Sequence, residues 1–342
     1  MTYPLADYTT LRVGGPARRL IVAHDEQTLM STVADCDQRG EPVLLIGGGS
    51  NLVVGDAGFD GTVVLVRTRG VFSDEDSCGG AWVTAAAGEP WDEFVDQAVR
   101  SDWSGVEALS GIPGLVGATP IQNVGAYGQQ VADVIARVRT WDRVDGVQRT
   151  LAAAECGYGY RTSRFREELS RYVILDVTMQ LRLSATSMPL AYDDLVRHLG
   201  VEMGDRRPLA DVRDAVLAVR GTKGMVLNDS DFDTWSTGSF FTNPILTDAK
   251  ADELLPSQAP RFPAGDGMVK TSAAWLIEHA GFNRGYGTQR AAISSKHTLA
   301  LTNRGGASAD DVVSLAREIR SGVHDRFGIL IEPEPILVNC SL

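Results

Sequence analysis

The sequence predicts an α+β fold built in more than one part, and not a long βαβ array. Three observations lead there. The chain opens on a single β-α-β segment, from Arg19 to Ile46. From about Arg69 the texture changes to alternating strand and turn. The last third mixes separate amphipathic helices with short strands and a tail broken by two prolines. A length of 342 residues suits two or three domains and is ample for real cores.

The elements follow in order. LRVGGP, Leu11 to Pro16, is a turn signal after a polar start. Residues 19–23 read as a strand. Residues 25–39 read as a helix, with Leu29, Val33 and Cys36 on one face and Gly40 as its stop. Val43 to Ile46 is the next strand. Leu52 to Val54 and Thr62 to Val66 are strand-like and close a first small domain. WVTAAAG reads as a strand, and a helix starts at Pro90, with Trp91, Phe94, Val95, Ala98 and Val99 at helical spacing. Residues 131–140 and 173–183 read as strands by their β-branched alternation. Residues 189–199 form a short helix or loop carrying Tyr192. Residues 208–220 form an amphipathic helix, and the polar loop NDSDFDTW follows a boundary near Thr222. Beyond it come a Pro-rich loop, a helix over 271–280, a strand over 299–302 and a helix opened by the capping pair Ser308 and Asp311.

Composition excludes several classes. The net charge of -12 leaves no basic face for nucleic acid. Four scattered cysteines and five scattered histidines give no metal-ligand spacing, so no metal is expected. Reduced cysteines fit a cytosolic setting. No basic-then-apolar leader stands at the start, and no apolar run reaches membrane-spanning length.

Chemistry concentrates in a few stretches. In PVLLIGGGSNLVV, Gly47, Gly48 and Gly49 allow close backbone approach, and their N–H groups can form an anion nest. Ser50 and Asn51 add side-chain donors. A dinucleotide pocket and a plain β–β turn both remain open. The dinucleotide fingerprint is incomplete, because Leu52 stands at its third glycine and a strand, not a helix, follows. SGIPGLVGATPIQNVGAYG, Ser110 to Gly128, is dense in glycine and almost free of charge, which suggests burial; a structural loop is the alternative. Arg161, after Tyr160, can bind a carboxylate or offset developing negative charge, or sit in a surface ion pair. Ser239, between Gly238 and two phenylalanines, is a shielded hydroxyl or a strand edge; no nucleophile elbow surrounds it. Glu332 and Glu334 share a face if the tail is an extended strand, and one would then be a buried acid or both a solvated strand end.

Together these motifs resemble one family. LADYTTLRVGGPA, LLIGGGSNLVV, GIPGLVGATPIQNVGAYG, YGYRTSRF, GSFFTNP, KTSAAWLIEHAGF and GILIEPE are similar to the UDP-N-acetylenolpyruvoylglucosamine reductase (MurB) family, in the family's order, from about residue 5 to 337. YGYR followed by Tyr192 in LAYDDL resembles its type I form, which carries a tyrosine loop over the substrate.

The resemblance implies a two-part FAD-binding region of the vanillyl-alcohol-oxidase/PCMH type plus a C-terminal α+β substrate-binding domain. It implies FAD-binding subdomains over 1–68 and 69–222 and a substrate-binding domain over 223–325, with the tail 326–342 packing back on the active site. It implies reduction of the enolpyruvyl ether of UDP-N-acetylglucosamine to UDP-N-acetylmuramate, in peptidoglycan precursor synthesis. It implies NADPH as co-substrate, a hydride from flavin N5 and a proton from Ser239. Arg161, Ser239 and Glu334 occupy the catalytic positions. Gly47, Gly48, Gly49, Ser50, Asn51 and Leu52 match one wall of the cofactor site. Ser110, Gly111, Pro113, Gly114, Gly117, Ala118, Thr119, Asn123, Gly125 and Ala126 match the other. Tyr160, Tyr192, Lys223 and Asn243 match substrate contacts, Lys223 standing further ahead of GSFF than in the best-known members. A cytoplasmic monomer is expected. The stretch from Val43 to Gly128 holds no His and only Cys78, so the flavin is expected to be non-covalent. Two rivals share the FAD-binding architecture: an alcohol oxidase with tethered flavin, and a non-catalytic FAD-binding sensor.

Overall fold

A computed structural model describes residues 3–342 as two compact units, and the chain passes between them four times. One unit comprises 18–48 and 60–226; the other comprises 3–17, 49–59 and 227–342.

The first unit starts from the expected β-α-β segment. The strands Pro16–Ala23, Phe59–Val66 and Val43–Ile46 are successive neighbours, the last two parallel. The helix Glu26–Gln38 crosses between the outer two. Asp25 caps it by accepting from Thr28 N at 2.7 Å. Leu29, Val33 and Cys36 are fully buried beneath it. A second, antiparallel sheet runs Val147–Ala152, Ile135–Asp142, Tyr172–Leu183, Gly80–Ala86, Val71–Asp76. The helix Trp91–Arg100 buries Trp91, Phe94, Val95 and Ala98 in the core these sheets share. Burying a side chain of this size contributes about 1.5–3 kcal/mol. Its start is held by Trp91 N donating to Gly114 O, which ties the helix to the second glycine run.

A buried carboxylate closes this sheet's far end. The Asp142 side chain has no exposure. It accepts from Arg149 Nε at 3.0 Å, Arg171 Nη2 at 2.9 Å and Val144 N at 3.1 Å. The hydrogen bonds from Arg171 outweigh burial and hold its carboxyl down at about 2. Arg143 N donates to Arg171 O beside it. Together these contacts form the base of segment 153–171, which carries Tyr160 and Arg161.

The second unit is organised by the helix Ala309–Phe327. The expected capping box is present: Ser308 accepts from Asp311 N, and Asp311 accepts from Ser308 N. Asp56 adds a second cap by accepting from Ala309 N and Asp310 N. Val312, Ala316, Ile319 and Val323 pack with Phe240, Phe241, Leu276, Ile293 and Leu301. Ile336–Val338 pairs in parallel with Leu52–Val54. Residues 331–335 depart from the extended tail expected from sequence. They hold one bridge, Phe241 to Pro333, and then bend. Glu332 consequently turns out to Arg320, at 3.0 Å. On either side of the bridge, Thr242 N donates to Glu332 O and Glu334 N to Phe240 O.

Among the described residues no helix is long and apolar enough to cross a membrane. No group of three or more His, Cys, Asp or Glu residues gathers as a metal site among them.

Candidate functional site

In the first unit the two glycine runs meet. A Cβ built on Gly48 would lie 2.8 Å from Gly114 Cα, and one on Gly47 would touch Leu115 at 3.4 Å. A side chain at Gly48 would therefore force the runs apart. Arg67 Nη1 donates to Gly47 O at 2.9 Å and fixes the loop's entry. Among the described residues, the N–H groups of Gly47, Gly48 and Gly114 donate to no protein acceptor. Half-buried donors of this kind, converging between two loops, suit phosphate oxygens. The loop leads from strand to strand, as its sequence predicts, so no helix N-terminus contributes. The residues present fit a bound FAD diphosphate.

The rest of the second run is a rigid frame. Gly111, at φ +70°, donates its N–H to Asp92 at 2.6 Å. Asp92 also takes a bidentate pair from Arg213, at 2.7 and 2.9 Å. Gly117 N donates to Ala87 O, where a Cβ would meet Ala87 at 2.5 Å. Ser110 donates to Glu107 O and Thr119 to Val116 O. Pro113 and Ala118 lie in the same run.

The second run also carries Arg161. Asn123 is buried in the left-handed region, at φ +46°. Its side chain donates to Gly159 O at 3.0 Å and accepts from Ala132 N at 3.1 Å. Ser163 donates to Ile121 O at 2.6 Å. Arg161, itself left-handed at φ +54°, donates through Nη2 to Gly125 O at 2.7 Å. Such backbone persists only where its surroundings over-determine it. The paired strand residues Gly125 and Ala126 thus present the guanidinium, and Tyr160 lies beside it, 5.7 Å from Arg161 Cζ to the ring centroid.

Lys223 and Tyr192 come together in the same unit although 31 positions apart. Tyr192 is the N-cap residue of the helix Asp193–Leu199, and its ring meets Tyr127 edge-on at 5.1 Å. Lys223, the C-cap of the helix Leu209–Thr222, donates to Asp194 at 2.5 Å and lies 5.9 Å from the Tyr127 ring. Burial pushes the Lys223 ammonium down, but Asp194 together with Tyr127 and Tyr192 outweighs it and leaves it above the ordinary lysine range.

In the second unit Gly49 stands at φ +62°, where a Cβ would lie 2.0 Å from Tyr8 O. Leu52 is buried, and Asn51 donates to Glu334 O at 3.3 Å. Ser50 stands half-buried between them. Ser239 sits half-buried ahead of two fully buried phenylalanines. The flanks are pinned: Gly238 N donates to Ser236 Oγ, Phe240 N to Leu299 O, and Glu334 N to Phe240 O at 2.9 Å. Among the described residues the Ser239 hydroxyl makes no hydrogen bond. The backbone on both sides of it is held. Asn243 caps the helix Ala273–His279 by accepting from Ala273 N at 2.9 Å, which leaves its amide N–H groups for another partner. Sequence reasoning missed Tyr127 and Asp194. Tyr127 stood inside a quoted motif, and Asp194 is the i+2 neighbour of Tyr192, but only folding brings both against Lys223.

Residues 17–152 match a family model described as an FAD binding domain. Residues 230–338 match the model of the C-terminal domain of UDP-N-acetylenolpyruvoylglucosamine reductase. The chain is similar to proteins of that name from Cutibacterium acnes, at 58% identity over 99% of this chain and 90% of that protein, and from Thermobifida fusca, at 53% identity over 99% and 98%. It is also similar to the solved structure of the reductase (MurB) from Thermus caldophilus. That match has a TM-score of 0.66 at 26% identity and covers 99% of this chain and 98% of that one.

Proposed function

The chain belongs to the UDP-N-acetylenolpyruvoylglucosamine reductase family, and from that premise we propose that it reduces the enolpyruvyl ether of UDP-N-acetylglucosamine to UDP-N-acetylmuramate at the expense of NADPH. Bound FAD would supply the redox chemistry, carrying a hydride from NADPH to the methylene carbon of the substrate. Gly47 to Leu52 and the run from Ser110 to Ala126 would hold it, the glycine N–H groups meeting the diphosphate.

The chain's own residues handle charge and proton. Negative charge builds toward the substrate carboxylate as the methylene carbon is reduced. Arg161 and Glu334 would stabilise it, the one by its guanidinium and the other as a hydrogen-bonding carboxyl. Ser239 would deliver the proton to the adjacent carbon. An aliphatic hydroxyl is a weak acid, so this needs a strongly basic intermediate and a well-placed donor. Tyr160, Tyr192, Lys223 and Asn243 would grip the UDP-sugar. In this reading the FAD-binding subdomains span 1–68 and 69–222, the substrate domain spans 223–325, and the tail from 326 returns to the site. The protein would work as a cytoplasmic monomer.

The observation that carries the proposal is the uncommitted Ser239 hydroxyl, pinned between Ser236, the buried phenylalanine pair and the Glu334 backbone. No second glycine-rich nucleotide loop stands in the sequence, so NADPH and the UDP-sugar would use one pocket in turn. Anaerobic stopped-flow tests this. NADPH should bleach the flavin, and the enolpyruvyl substrate should restore the oxidised spectrum without oxygen. A reduced flavin that ignores the UDP-sugar would refute the assignment.

A further inference from the structure

Lys223 is already occupied by a carboxylate. Its partner, Asp194, is half-buried and lies two residues past Tyr192 on the helix Asp193–Leu199. Asp194 is shared with exposed Arg197 at 3.3 Å, a pair weakened by solvent. Behind Lys223, one turn back on its own helix, stands Arg220. Arg220 is buried, and its Nη2 donates to Met225 O at 2.7 Å. Its Nε is buried without a hydrogen-bond partner among the described residues. A Cβ on Gly111 would lie 3.5 Å from that atom. The cluster thus holds two cations, two tyrosines set edge to face, and the Asp194 carboxylate. A buried guanidinium with an unmet N–H is costly unless an acceptor arrives.

We infer that Asp194 is an internal counter-ion for a nucleoside-diphosphate subsite: it holds Lys223 until a ligand phosphate displaces it, and so keeps the grip on free polyphosphates loose. This deepens the proposed function and rests on its placing of the UDP-sugar at Lys223. The ammonium has three donors and is a point charge, so a phosphate oxygen can replace a carboxylate oxygen without a change of geometry. While Asp194 stays charged, it repels the incoming diphosphate and offsets the charge of Lys223. Loose binding matters to an enzyme whose product carries the same UDP group as its substrate. Without the counter-ion, product and free UDP would linger.

The experiment is calorimetric titration of the FAD-loaded protein with UDP. Asp194→Asn should bind UDP roughly three- to tenfold more tightly than the unaltered protein, as expected for removing one unit charge near a partly exposed diphosphate. The gain should shrink at high salt. Asp194→Glu, which restores the charge, should return to the original affinity. Asp194→Ser removes the same charge and repeats the reading if the Asn variant does not fold. A residue serving only the fold would weaken binding or leave it alone. Equal or weaker binding by the neutral variants overturns the inference. If Lys223→Ala binds UDP as well as the unaltered protein, the placing of the UDP-sugar falls, and the inference with it. If Lys223→Ala loses affinity but the neutral variants gain none, only the counter-ion role falls.

Discussion

Asp142→Asn is the sharpest test of how the segment bearing Arg161 is held. The Asp142 carboxylate is fully buried, and Arg149, Arg171 and two backbone N–H groups converge on it. Its carboxyl sits at about 2 in the folded protein against 3.8 ordinarily, chiefly through the Arg171 hydrogen bonds. A difference of that size is worth roughly 2–3 kcal/mol of folding stability at neutral pH. The sign follows from the direction. A depressed carboxyl stabilises the fold fully above its unfolded value, and that stability is lost as pH falls through the folded one. Asn keeps one acceptor but turns an N–H₂ toward the guanidinium groups. Removing one member of a fully buried pair costs about 3–5 kcal/mol. Arg149 and Arg171 are 46% and 32% exposed, however, and water can take them up, so the lower figure applies. The melting temperature should drop by roughly 5–10 °C. Urea unfolding of both proteins should be followed from pH 7 to pH 2. The difference between them should be flat above about pH 4 and close toward zero near pH 2. A variant within about 0.5 kcal/mol of the parent at pH 7, or a difference independent of pH, would refute the reasoning.

Ser239→Ala removes a hydroxyl with no hydrogen bond among the described residues, so melting should hardly change. Flavin reoxidation by the enolpyruvyl substrate should slow roughly 10²–10⁴-fold, with reduction by NADPH intact; an equal loss in both half-reactions would remove Ser239 from its role. Gly49→Ala meets a left-handed backbone, worth roughly 1–2 kcal/mol against Ala, and a Cβ 2.0 Å from Tyr8 O that only backbone movement can relieve. It should purify depleted in flavin, and a fully yellow variant with an unchanged melt would show the loop to be looser than described.

Much of this was legible in the chain itself. Helices with a one-sided apolar face were found to within two or three residues, because burial and periodicity agree there: Leu29, Val33 and Cys36 are buried as the spacing requires. Caps such as Ser308 with Asp311 are local chemistry and were visible for that reason. Several short elements carry no such signal, among them the helix Asp248–Leu254 and the strands Ile245–Thr247, Met268–Lys270 and Ala291–Ile293, and neither do two longer strands. The strand Val71–Asp76 is an acidic sheet edge with little apolar alternation. The strand Val147–Ala152 has almost entirely exposed side chains. In the tail, two prolines leave only a single bridge, Phe241 to Pro333, before the chain bends and re-enters a strand at Ile336. Candidate residues were named one at a time, but their partners were not. Nothing near Arg161 in sequence announces Asn123 or Gly125, whose contacts with it close only on folding.

The parallel pairing of Leu52–Val54 with Ile336–Val338 sets an order for events on the ribosome. The earlier strand leaves the exit tunnel about 280 residues before its partner exists. At bacterial elongation rates of roughly 5–20 residues per second, that is about a quarter of a minute to a minute. For that interval Val53 and Val54, both buried in the finished protein, present apolar surface and open ladder groups to the cell. By the time the partner strand is made, the whole of the other unit, whose last stretch ends at 226, has been synthesised and can fold. Nascent chains stalled before residue 336 should therefore bind holdase chaperones through this segment, and chains released beyond 338 should let go.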